Sequence, residues 1–86
     1  MKAFKIRVYG RVQRVGFRSY VLEIARYLGL SGYIKNEKDD SVTIFVQGKE
    51  NLVSKFMEAI KRPPPPIEVK EISINEVAPR KKLKYF

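Results

Sequence analysis

From Lys2 to Tyr9 apolar and polar positions alternate, with Phe4, Ile6 and Val8 on one side and Lys5 and Arg7 on the other. A period of two is that of a half-buried strand, and Gly10 is expected to end it. From Phe17 to Leu28 the rhythm changes. Phe17, Val21, Ile24, Ala25 and Leu28 form one stripe at helical spacing, while Glu23 and Arg26 face away. Gly29 suits a helix C-terminal cap. Residues 31–36 (SGYIKN) read as a short strand, EKDDS as a polar turn and residues 42–47 (VTIFVQ) as the next strand, closed by Gly48. A second amphipathic helix follows over Glu50–Lys61, with Leu52, Val53, Phe56, Ala59 and Ile60 on its stripe and Glu50 in its first turn. Pro63–Pro66 cannot continue that helix and are expected to form an extended polyproline connector. Ile67–Val77 carries another strand, and the closing LKYF is expected to add a short one.

The element order is β-α-β-β-α-β. With right-handed crossovers it predicts an α+β, ferredoxin-like sandwich: an antiparallel sheet with both helices on one face.

The chain has 86 residues, enough for one small core and one domain over residues 1–86. It has no cysteine and no histidine. That excludes disulfides, thiolate chemistry, zinc fingers and the usual general base. The N-terminal stretch shows neither a signal peptide nor a membrane span, so a cytoplasmic location is expected. A formal charge of +9 makes this a basic protein suited to anionic partners. Abundant lysine with scarce glutamine points to a thermophilic source.

The charge has a focus. Residues 10–18, GRVQRVGFR, connect the first strand to the first helix and carry Arg11 and Arg14 between two glycines and Arg18 just beyond the second. A helix start offers unpaired N–H groups and partial positive charge. A glycine-bracketed loop can turn its own N–H groups inward as an anion nest, and an arginine fork on the first helical turn can grip two phosphate oxygens. The Walker loop, the cysteine phosphatase loop and the three-glycine dinucleotide fingerprint are each absent. What remains is either a phosphate-binding loop that supplies no nucleophile, or a turn in which Arg11 and Arg18 are solvated charges. Asp39 and Asp40, without supporting ligands, read as a solvated turn rather than a metal site.

The stretch GRVQRVGFR resembles the acylphosphatase loop, G-x-V-Q-G-V-x-F-R. Downstream, GLSGYIKNEKDDSV resembles that family's second signature, G-L-x-G-(W/Y)-V-x-N-x-x-D-G-x-V, and the likeness spans nearly the whole chain. It implies a metal- and cofactor-free hydrolase acting on small acyl phosphates and releasing inorganic phosphate. Arg18 matches the family's phosphate-binding arginine and Asn36 the asparagine that orients the attacking water. Gln13, Arg14, Val15, Gly16 and Phe17 occupy the phosphate-binding loop, and a monomer is expected. Two family glycines are replaced, by Arg14 and Asp40. Two alternatives stand beside this reading: a phosphate or carbamoyl-phosphate binder that has lost catalysis, and an RNA-binding module of the same element order. The second is disfavoured, because VTIFVQG carries one aromatic, Phe45, where an RNA-recognition strand needs several.

Overall fold

The computed structural model describes residues 1–86. The elements are β1 (Lys2–Arg11), α1 (Phe17–Tyr27), β2 (Ser31–Asn36), β3 (Val42–Gly48), α2 (Glu50–Lys61) and β4 (Glu68–Val77). The four strands form one sheet in the order β2-β3-β1-β4, with every neighbouring pair antiparallel.

The period-two pattern becomes two sheet faces. Register places Ile6 opposite Ile44 and Val8 opposite Val42, and these residues join Phe17, Val21 and Ala25 of α1 and Val53, Phe56 and Ile60 of α2 in one core. The alternate residues, among them Lys5, Arg7, Thr43 and Phe45, face the other way. No helix is long and apolar enough to cross a membrane.

Both helices sit where their stripes predict, and α1 stops as its sequence suggests. Gly29 adopts φ 69° and its N–H donates to the Arg26 carbonyl, while the Leu30 N–H donates to Ala25. This paired closure satisfies carbonyls that the last turn would leave orphaned.

Three expectations are corrected. Gly10 does not end the first strand. Pairing with β4 continues to Arg11 through a bulge between Tyr9 and Gly10. A side chain at residue 10 would overlap the Glu68 carbonyl, so glycine permits the close approach that keeps the strand going. The proline connector is not fully extended: Pro64 accepts the Ile67 N–H at 3.1 Å, and the Pro65–Pro66 peptide is cis. The turn carries Ile67 into the core cluster.

Nor does LKYF form a further strand. Residues 78–86 cross the open sheet face and wrap the β2 edge. The Gln47 amide holds this tail: its Nε2 donates to the Arg80 carbonyl, and its Oε1 accepts the Arg80 N–H, both at 2.7 Å. The Arg80 guanidinium lies 4.6 Å from the centroid of Phe45 and 5.5 Å from that of Tyr33. Farther on, the Tyr85 carbonyl accepts the Gly32 N–H at 3.1 Å, and the Phe86 ring rests 5.9 Å from Phe56. A chain that must pass from Gln47 on one face to Phe56 on the other runs across the edge, not along it.

Gln47 is 1% exposed, so losing its amide leaves a cavity and removes the partner of two part-buried backbone groups of Arg80. Gln47→Ala is expected to lower unfolding free energy by about 2 kcal/mol, read from chemical denaturation. A loss under about 0.5 kcal/mol would show that water replaces the amide.

Candidate active site

Between β1 and α1 the loop is pinned at both ends by apolar side chains. Val12 and Phe17 are buried in the core, and Val15 packs against it. Between them the backbone turns into the left-handed region twice, with φ 62° at Arg14 and 88° at Gly16. Gly16 is the N-cap of α1 and offers no side chain to the helix start. No backbone N–H from Gln13 through Ser19 donates to a protein acceptor, whereas the next, that of Tyr20, bonds Gly16 at 3.0 Å. A glycine-bracketed loop and a bare helix N-terminus thus present one continuous run of donors. Backbone of this kind accepts a tetrahedral oxyanion.

The sequence-predicted residues take separate parts. Arg18 is exposed on the first turn of α1, without a hydrogen bond or ion pair to any side chain; the two ion pairs of the molecule are Lys2–Glu76 and Arg7–Asp39. Asn36 is exposed at the end of β2 and lies opposite Val42, which lies opposite Val8. Since Val8 and Val42 belong to the core row beneath the helices, Asn36 shares the helix-bearing side of the sheet. It stands at the end from which β1 leads into the loop.

Gln13 ties these parts together. Its side-chain Nε2 donates to the carbonyls of Glu37 at 2.8 Å and Ser41 at 2.9 Å. The sequence placed Gln13 in the loop without giving its side chain this task. The amide is turned toward the hairpin beside Asn36, leaving its backbone N–H to the loop.

That hairpin is braced from the open face by residues the sequence did not single out. The Glu37 N–H donates to the Ser41 carbonyl at 2.9 Å. The buried Ser41 hydroxyl donates to Asp39 and accepts from Arg7 Nε at 2.7 Å. The Ser41 hydroxyl, then its N–H, then Arg7 hold the Asp39 carboxyl below its usual range. The Thr43 hydroxyl does the same for Glu37. Asp39 is thereby engaged within the turn, and Asp40 occupies a left-handed position, φ 70°. A serine two residues after an aspartate is the local signal of such a turn, but Arg7 comes from another strand and leaves no local trace.

Left-handed backbone at Arg14 costs an L-residue about 1 kcal/mol. Arg14→Gly is therefore expected to raise stability by up to that amount, offset partly by the freedom glycine gains when unfolded. Hydrolysis of acyl phosphates with an uncharged acyl group, the activity the sequence resemblance implies, should be kept or raised. A destabilised variant with weaker phosphate inhibition would show instead that the Arg14 side chain holds the loop.

Comparison with known proteins adds independent findings. The acylphosphatase family model matches residues 4–86. The acylphosphatase of Thermotoga maritima is 43% identical over 79 residues, covering 92% of this chain and 88% of that relative. That of Archaeoglobus fulgidus is 41% identical over 76 residues, covering 88% and 85%. The crystal structure of acylphosphatase from Bacillus subtilis superposes with a TM-score of 0.94 at 38% identity, covering 100% of this chain and 96% of that one.

Proposed function

The chain belongs to the acylphosphatase family and is a hydrolase of acyl phosphates, and we propose that Arg18 and Asn36 are its catalytic residues. The observation carrying this proposal is the run of unpartnered N–H groups from Gln13 to Ser19, with Arg18 inside it and the Asn36 hairpin tethered to it by Gln13.

In this reading the backbone N–H groups of Gln13, Arg14, Val15, Gly16, Phe17 and Arg18 surround the phosphoryl oxygens. The Arg18 guanidinium adds the cation that stabilises charge there in the transition state. Asn36 holds a water in line with the carboxyl–phosphate bond. The water oxygen bonds to phosphorus, the bond to the carboxyl oxygen breaks, and the carboxylate leaves with the bonding pair. A carboxylate is a good leaving group, so no general acid is needed. The substrate's own phosphoryl oxygen takes the water proton, since an amide is a poor base. Chemistry of this kind proceeds with the side chains of a protein that lacks histidine and cysteine, without metal or cofactor.

The reading extends to a single domain over residues 1–86, acting as a cytoplasmic monomer on small acyl phosphates. The lysine-rich composition fits a thermophilic source. Phe45, the one aromatic of β3, is 1% exposed beneath Arg80, so it offers no platform on which a base could stack.

Hydrolysis of benzoyl phosphate, with inorganic phosphate as a competitive inhibitor, tests the proposal. Turnover with competitive inhibition is expected. Phosphate binding without turnover would replace it with the phosphate-binder reading, and salt-dependent RNA binding without either would replace it with the nucleic-acid one.

A further inference from the structure

Three departures from regular backbone converge on one place. Arg14 and Asp40 are the non-glycine residues of this chain at positive φ. Lys70 is left without a cross-strand partner by the bulge, since Tyr9 pairs with Glu71 and Gly10 with Val69. A bulge of this kind re-aims a side chain. All three line a single cavity of about 400 Å³, whose wall also includes Gly10, Arg11 and Gln13.

The charge there is lopsided. Arg11, Arg14 and Lys70 share its wall with one carboxylate, Asp40, and Glu68 lies across from Arg11 on β4. None of the three cations takes part in either ion pair of the molecule. An excess of cations around a concavity makes a local well for an anion. Non-glycine residues held in sparsely populated backbone regions gather at ligand sites, where other contacts hold them in place. Gln13 and Arg14 belong both to this wall and to the phosphate loop, so the cavity adjoins the cradle.

We propose that the cavity is a second anion subsite, which takes a carboxylate or phosphate carried on the acyl part of the substrate. This rests on the acyl phosphate reading above and narrows it to acyl phosphates whose acyl group is itself negatively charged. The cradle grips the transferred phosphoryl group, and Arg11, Arg14 and Lys70 hold the distal charge.

Steady-state hydrolysis of benzoyl phosphate against meta- and para-carboxybenzoyl phosphate tests it. At low ionic strength one of the carboxylated substrates should have a kcat/KM about fivefold higher, the gain of one solvated charge pair at contact. Added salt should shrink that advantage toward unity. Lys70→Gln and Lys70→Met should each remove most of the advantage while leaving kcat/KM for benzoyl phosphate unchanged. Equal or poorer use of both carboxylated substrates would overturn the subsite, as would a parallel fall for all substrates in the variants. If no substrate is hydrolysed, the catalytic reading fails instead. Calorimetric titration with benzylphosphonate and its carboxylated forms then decides the subsite alone: tighter binding of a carboxylated form supports it, equal binding overturns it.

Discussion

Arg18→Ala should reduce kcat/KM for benzoyl phosphate about 10³-fold, because in the proposed mechanism it removes the cation aimed at the phosphoryl group while charge develops there. Phosphate inhibition should weaken alongside the rate, since the same guanidinium meets the product. The fold should be indifferent. The side chain is exposed and enters neither ion pair of the protein, and such surface positions change stability by about 0.5 kcal/mol or less. Arg18→Lys separates the two contributions of the group. A lysine keeps the charge but not the planar pair of donors, so it should recover part of the inhibition by phosphate and little of the rate. Wild-type turnover in Arg18→Ala, with the thermal midpoint unchanged, would remove Arg18 from the site.

For Asn36→Ala the pattern differs. Turnover should fall about 10²-fold or more, the order expected when a reacting water is no longer held in line, while inorganic phosphate inhibits as before. Asn36 lies beyond the run of donors proposed to meet the phosphate, at the end of a strand on the same side of the sheet. The discriminating quantity is therefore the ratio of the effect on kcat to the effect on the phosphate inhibition constant. If both fall together, Asn36 contacts phosphate directly and the water-holding role is wrong.

How much of this was legible beforehand depends on how far apart the cooperating residues lie. The strand and helix periods gave the element order because each is written within a dozen neighbouring positions. The Gly29 cap was local in the same sense. Gly10 misled because its reason is the Glu68 carbonyl, which approaches from a distant strand; a turn and a close crossing both call for glycine. The terminal LKYF misled because its partners, Gly32 and Phe56, are visible only after folding. Within the candidate site, the position of the loop between β1 and α1 was readable, whereas the Gln13 and Arg7 hydrogen bonds to the hairpin were not. Arg14 lies between these cases. The sequence raised the question of a missing glycine, and a φ of 62° answered it: the backbone keeps the glycine shape and the side chain is carried into the adjoining cavity.

The tail that covers the sheet has a further consequence during synthesis. Gln47 and Arg80 are 33 positions apart. At about 5–20 residues per second, roughly two to seven seconds separate the addition of the amide from the addition of the segment it grips. Until that segment is in place, the faces of Tyr33 and Phe45 that Arg80 covers in the folded chain lack their cover. Cover for this face of the sheet therefore depends on residues that follow β4 and have no regular structure of their own.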